Sequence, residues 1–269
     1  MAGADVYERL IVERRGPVGW LVFDRPDVGN ALDARMMAEL EDAWRELDAD
    51  PSVRVIVNAG EGKNFQTGLD VAALSRDKEA MSEQSRRTRD AELRFTAWHN
   101  HVWKPVIAAV QGSCAGGGLH FVADADIVIA ASNAQFFDTH VSLGQAMSYE
   151  GIGLTNKMAF GPIMRMALVG SYERMPAARA RQLGMVSQVV DPPERLREEA
   201  QALAEKIAKN SPAAMRATKR ALWGALELGL TDACRAGSQE LVGMWGHPDQ
   251  EEGPLAFSEK REAQWMEIT

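Results

Sequence analysis

A chain of 269 residues with 46% hydrophobic composition can bury one sizeable core, with or without an appendage. Its formal charge of −8 and pI near 5.3 argue against nucleic acid as a partner, because phosphate binding needs a basic surface. No apolar run approaches the roughly 20 residues of a membrane span.

The elements read as follows in chain order. Met1-Ala2-Gly3-Ala4-Asp5 lacks the basic and apolar regions of a signal peptide. With Cys114 and Cys234 the only cysteines, no disulfide framework is implied and a reducing cytoplasm is expected. Val18 to Phe23 is a short apolar run and predicts a strand. Asp33 to Leu47 carries Met36, Leu40, Trp44 and Leu47 at helical spacing. Val53 to Val57 predicts a strand, Gly60 to Lys63 a turn, and Lys78 to Trp103 one long helix. Pro105 to Val110 predicts a buried strand from its β-branched content. A helix over Gly118 to Ala125 and a strand over Ile127 to Ala131 follow. Strands alternating with helices argue for parallel βαβ units. Ala177 to Leu183 predicts a helix and Val186 to Val190 a strand. Beyond Pro192-Pro193, Leu196, Ala200, Leu203 and Ile207 form one helical stripe, and Ser211-Pro212 opens another helix. The expected organisation is therefore a β-rich core over 1–191 that carries the active site and a helical region over 192–269.

Two segments carry chemistry. Phe65-Gln66-Thr67-Gly68-Leu69-Asp70 is one; Pro105 to Gly112, running into Gly116-Gly117-Gly118, is the other. Each reads as a strand meeting a glycine-assisted turn at a helix start. Backbone N–H groups are unpaired there and can face an anion. Two such turns brought together would hold one oxygen between two donors, which suits a thioester carbonyl turning into an enolate or a tetrahedral oxyanion.

On these residues the chain resembles the enoyl-CoA hydratase/isomerase (crotonase) family. The match runs from about Val18 to Trp265, in the family's order: Asp24-Arg25-Pro26 with Asn30-Ala31-Leu32, Phe65 to Asp70, Lys104 to Gly118, Ala134-Gln135-Phe136, Ala180 to Val186, and Asp249 to Arg261. The resemblance implies an α/β crotonase-like spiral of ββα units with a helical C-terminal trimerisation region. It implies a homotrimer or dimer of trimers, and an acyl-CoA thioester as ligand. CoA would enter as part of the substrate, with no separate cofactor and no metal. By position, the Leu69 and Gly117 N–H groups would form the oxyanion hole. Thr67, Leu69 and Val71 would line the adenine site, and Lys260 and Arg261 would reach the CoA phosphates.

Hydratases of the family hold one water with two glutamates, and here both positions are histidine: His120, two residues past the glycine triplet, and His140, four past Phe136. A carboxylate only accepts hydrogen bonds at neutral pH, whereas a histidine, with a reference pKa of about 6.5, can donate or accept. Two histidines would divide base and acid roles. Their chemistry suits water attack on a carbonyl, giving thioester or β-diketone hydrolysis with C–C cleavage. It equally suits α-proton transfer, giving isomerisation. Glu150 supplies a carboxylate, as acids on this loop do in some relatives, and Asp138 or Glu150 would orient His140. The retained glycines favour a CoA thioester over a free diketone.

Other readings stand beside this one. Gly112-Ser113-Cys114-Ala115-Gly116 fits a nucleophile elbow, so a cysteine-dependent α/β-hydrolase would use Cys114 with Asp126 or Asp138 and His140 or His247. A CoA-binding homologue without catalysis is a third reading. His99 and His101, two apart on an expected helix, would face different ways and read against a metal site. Trp98 and Trp103 read as core. Arg86, Arg87 and Arg89 read as a solvated helix face.

Overall fold

The computed structural model describes residues 7–90 and 92–267. In chain order the strands and helices are β1 (Leu10–Arg15), β2 (Val18–Phe23), α1 (Ala34–Ala49), β3 (Val55–Gly60), the single-turn α2 (Val71–Leu74), α3 (Lys78–Arg89), β4 (Val106–Val110), β5 (Ser113–Ala115), α4 (Leu119–Ala123), β6 (Ile127–Ala131) and β7 (Gln135–Phe137). Then come α5 (Tyr149–Leu154), α6 (Phe160–Val169), β8 (Met175–Pro176), α7 (Ala177–Gln182), β9 (Gln188–Val190), α8 (Leu196–Ala208), α9 (Pro212–Ala225), α10 (Leu230–Gly243) and α11 (Asp249–Glu259). The main sheet has the order β1-β2-β3-β4-β6-β9 and is parallel except for the β1–β2 hairpin. A small sheet, β5-β7-β8, stands beside it.

The central strands are apolar except at Asn58 of β3, whose amide donates to Leu21 O at 3.0 Å, because both faces are covered. Trp20, Val57, Ile107 and Ile129 face α8, whose Leu196, Ala200 and Ala204 close that layer. Leu21, Phe23, Ile56 and Ala108 face the other way, onto Met36, Leu40 and Trp44 of α1. Each of the larger aliphatic and phenyl side chains among these, fully buried, contributes about 1.5–3 kcal/mol. Asp33 starts α1 where expected: its carboxylate accepts the Met36 N–H at 2.8 Å. Ser211 likewise caps α9, accepting from the Ala214 N–H at 3.1 Å.

Three expectations are corrected. The long helix over Lys78 to Trp103 stops at Arg89, and 92–103 is a chain of turns that buries Leu93, Phe95, Ala97 and Val102. The Asn100 amide donates to the Arg94 and Thr96 carbonyls at 2.9 Å, and His101 takes a positive φ of 55°. Side-chain bonding of this kind competes with the helical ladder. The boundary after residue 191 cuts through a packed layer, since α8 covers the sheet and belongs to the core unit. The part that stands off begins at α9, which is moored to the body by the Lys219–Asp126 ion pair at 2.7 Å and by the Trp223 indole donating to Asp126 at 2.6 Å. Cys114 lies mid-strand in β5, paired with Phe136, rather than at an exposed elbow. It is fully buried, and burial pushes its thiol pKa up, so no thiolate is presented.

Candidate active site

The two glycine turns meet. Isolated β-bridges join Leu32 to Leu69 and Gln66 to Cys114, so both segments are ordered against the small sheet. In these bridges the Leu32 N–H donates to Gly68 O, Asp70 N–H to Leu32 O, and Ala115 N–H to Gln66 O. The pairing leaves the Leu69 N–H out, and Gly117 is the second residue of the Gly116–Gly118 turn, where the helical ladder has no acceptor for its N–H. Among the described residues neither amide has a hydrogen-bond acceptor. They sit close together: a Cβ on Gly117 would lie 3.7 Å from Leu69 N, and one on Gly68 would lie 3.1 Å from Gly117 N. Gly68 has φ +94°, so glycine is required there on conformational grounds as well.

Side chains to which the motif pieces gave no role of their own hold this geometry. The Gln66 amide oxygen accepts the Gly68 N–H at 2.7 Å, and its nitrogen donates to Asn30 O at 3.2 Å. Asn30, fully buried with φ 61°, donates to the carbonyls of Glu61, Asn64 and Phe65 at 2.9, 2.8 and 3.1 Å. Arg25 reaches Asp70 at 3.1 Å, and Asp70 caps α2 through the Ala73 N–H at 2.9 Å. The Asp24-Arg25-Pro26 and Asn30-Ala31-Leu32 pieces are thus the brace of the first turn.

A line of ionisable groups borders the amides. His120 projects from α4, directly after the glycine triplet. His140 follows the small-sheet strand β7, and its Cε1 would lie 3.9 Å from a Cβ on Gly116. Glu150, in the first turn of α5, places Oε1 3.3 Å from His120 Nε2 and 3.5 Å from His140 Nε2. Asp138 is fully buried; its Oδ1 meets His140 Nδ1 at 2.7 Å and its Oδ2 accepts the His140 N–H at 2.9 Å. The Asp138 contact holds the His140 pKa above its ordinary value, with burial opposing and Glu150 adding. Burial pushes the Glu150 carboxyl up, but His120 and His140 outweigh it and hold it below the usual glutamate value. The arrangement is one imidazole between two carboxylates, one of which also faces a second imidazole.

Behind His120 lies a further cluster. The His99 and His120 rings are 5.8 Å apart, His99 Nε2 is 4.0 Å from Asp124 Oδ2, and the Thr96 hydroxyl donates to that oxygen at 2.6 Å. Burial lowers the His99 pKa to about 3, so its ring is neutral, and burial raises that of Asp124. The donor atoms of His99, His120 and Asp124 lie within 4.8 Å of one another, the one group among the described residues close enough to share a metal ion. Zinc–nitrogen bonds of about 2.0–2.1 Å would require that cluster to contract. The helix expected over His99 and His101 would turn the two rings apart from any shared site; because that stretch is turns, the His99 ring meets His120 while His101 is exposed.

The remaining expected ligands are spread out. The Thr67 hydroxyl donates to Gly29 O at 3.0 Å, and Val71 is 49% exposed beside the turn, free to meet a ligand. Lys260 and Arg261 end α11; Arg261 is paired with Glu252 and Glu259, and among the described residues no hydrogen bond or ion pair joins either residue to the Phe65–Val71 turn. His247 contacts Asp249 of α11, away from Cys114.

The sequence profile described as Enoyl-CoA hydratase/isomerase matches residues 13–268. The chain belongs to this family. Within the enoyl-CoA hydratase/isomerase family it is 38% identical to a Rhizobium meliloti protein named "Probable enoyl-CoA hydratase", over 96% of this chain and 98% of that one. It is 34% identical to the (E)-benzylidenesuccinyl-CoA hydratase of Thauera aromatica, over 94% and 96% of the two chains. A crystal structure of an enoyl-CoA hydratase/isomerase from Mycobacterium paratuberculosis superimposes with a TM-score of 0.88 at 34% identity, covering 97% of this chain and 100% of that one. The fold is therefore the crotonase-like α/β fold, as expected, and the cysteine-dependent α/β-hydrolase reading is set aside. No helix among the described residues is long and apolar enough to cross a membrane.

Proposed function

We propose that this member of the enoyl-CoA hydratase/isomerase family acts on an acyl-CoA thioester by holding the thioester oxygen between the Leu69 and Gly117 amides while Glu150 and His140 move protons. The observation that carries the reading is the placement of Glu150 Oε1 within 3.3 and 3.5 Å of two imidazoles beside the paired glycine turns. On an enoyl-CoA, the Glu150 carboxylate takes a proton from water. The oxygen of that water bonds to the β-carbon, and the π electrons move onto the thioester oxygen as an enolate held by the two amides. The His140 imidazolium then returns a proton to the α-carbon. His120 keeps the Glu150 carboxylate charged and aimed. Thr67, Leu69 and Val71 line the adenine end, and Lys260 and Arg261 act on CoA phosphates from a neighbouring subunit.

A second reading, thioester or β-diketone hydrolysis, is favoured by the 2.7 Å Asp138–His140 contact, the base-and-orienter pair of acyl transfer. In it His140 takes the proton of a water that attacks the carbonyl, and the same amides hold the tetrahedral oxyanion.

One assay separates the readings. Crotonyl-CoA and a panel of thioesters are followed for loss of the enoyl absorbance and for release of free thiol, with wild type, His120→Ala, His140→Ala and Glu150→Gln. Hydration abolished by His140→Ala and Glu150→Gln is the expected result. Thiol release with no hydration selects hydrolysis. Fast hydration surviving all three substitutions rejects the proton-transfer assignment.

A further inference from the structure

We propose that His99, His120 and Asp124 hold one divalent transition-metal ion of the zinc type, between the 92–103 turns and α4. The site stands apart from the paired amides and does not depend on the acyl-CoA reading. One donor atom from each of the three side chains lies within 4.8 Å of the others. Two donors on a tetrahedral ion with bonds of about 2.0–2.1 Å are about 3.4 Å apart, so each donor has to move inward by about 1 Å. Asp124 stands just past the end of α4 and His99 on turns, so rotation of their side chains supplies that movement.

Hydrogen bonding leaves this cluster unfinished. Among the described residues neither ring nitrogen of His99 has a hydrogen bond: Nδ1 is buried without one, and Nε2 stops 4.0 Å from Asp124 Oδ2, beyond hydrogen-bond reach. Buried polar atoms are nearly always paired, and one that is not points to a water or an ion. The surroundings are those of a metal site. The Thr96 hydroxyl accepts the His99 N–H at 3.3 Å and donates to Asp124 Oδ2 at 2.6 Å, tying two of the ligands together. Glu150 meets His120 Nε2 at 3.3 Å, which leaves Nδ1 for the metal and makes a carboxylate–histidine–metal line. The Phe95 ring packs against the His120 and His99 rings at 5.9 and 6.3 Å and keeps that side dry. The other side opens on a cavity of about 470 Å³ that all three ligands line, with room for a water as fourth ligand. Two imidazoles and a carboxylate suit zinc and its first-row neighbours, whereas calcium and magnesium take oxygen ligands.

The test uses chelator-treated protein with zinc or cobalt(II) as the probe and no substrate. Calorimetry is expected to give one zinc per chain, and cobalt(II) the visible absorption of a four-coordinate site. X-ray absorption on the zinc form should count two imidazole nitrogens among the ligands. His99→Gln and Asp124→Asn, close in size to the native residues, should each weaken zinc by about 100-fold or more, and Thr96→Val by about 10–100-fold, the loss typical of a ligand's supporting hydrogen bond. His140→Ala, across Glu150, and His101→Gln, exposed on the same turns, should bind zinc as the wild type does. No zinc uptake would leave a buried water as the partner of the cluster and overturn the site. Zinc affinity untouched by His99→Gln and Asp124→Asn, or lost in His140→Ala or His101→Gln, would put the ion elsewhere and overturn it as well. The wild-type spectra count imidazoles directly, so a variant that folds poorly does not blunt the test.

Discussion

At the scale of single residues, the proposed mechanism assigns proton transfer to His140 and charge stabilisation to the Gly117 amide, and the two can be probed apart. His140 has its pKa raised by Asp138, so the imidazolium persists above the ordinary histidine range. If it acts as the acid, kcat/KM falls as pH rises through that raised value. Asp138→Asn removes the largest cause of the shift, and the alkaline limb of the pH–kcat/KM profile should move to lower pH; an unmoved limb would show that another group sets it. The same shift contributes stability that is fully present below the unfolded-state value of about 6.5 and is lost as pH rises through the folded value. The midpoint of urea unfolding should therefore drop across that window in wild type and less so in Asp138→Asn. His140→Ala should lower kcat by about 10²–10⁴-fold. Gly117→Ala is a second probe. Its methyl would meet nothing closer than 3.5 Å and so fits the fold, yet it would stand 3.7 Å from Leu69 N, in the gap between the amides. Activity should fall by about 10²–10³-fold, the loss typical of one oxyanion donor, with the melting temperature nearly unchanged. Gly68→Ala, at φ +94°, should lower both.

At the scale of elements, the first glycine turn is held from outside itself. Asn30 donates its amide to the carbonyls of Glu61, Asn64 and Phe65, and Gln66 locks the Gly68 peptide. Removing the Asn30 side chain leaves buried carbonyls without donors, each costing about 1–3 kcal/mol. Asn30→Ala should thus lose about 2–4 kcal/mol in denaturant unfolding, and at permissive temperature its kcat should fall more than its KM rises, because the Leu69 amide is no longer aimed. A variant with full kcat would mean the turn keeps its shape unaided. The motif pieces before residue 33 were legible as a family pattern. Their role as a brace was not, because it depends on a contact between segments that are separate in the chain.

At the scale of the molecule, α9, α10 and α11 leave a broad apolar surface uncovered. Leu222, Leu230, Leu241, Trp245 and Phe257 are 66%, 83%, 62%, 68% and 87% exposed. Patches of that kind mark interaction sites. We propose that this face is covered by further copies of the chain, and light scattering is expected to give the mass of a trimer or a dimer of trimers. Leu230→Glu with Phe257→Glu should release monomers, since burying either charge at an apolar interface is unfavourable. A monodisperse wild-type monomer would remove the assembly proposal and, with it, the cross-subunit role of Lys260 and Arg261.

The sequence by itself determined the central strands of the main sheet, because a strand buried on both faces is apolar throughout, as Val18 to Phe23 and Val106 to Val110 are; the edge strand β1, partly exposed and charged at its end, it did not reveal. It also determined the two glycine turns, since a positive φ at Gly68 and the tight approach at Gly118, whose Cβ would overlap Gln66, tolerate no larger residue. It put histidines at positions 120 and 140. Only the tertiary structure decided what those histidines face. Glu150 between two imidazoles, Asp138 behind one and His99 behind the other are distances between elements far apart in sequence. Periodicity reports which face of an element is buried, and says nothing of which buried side chain it meets.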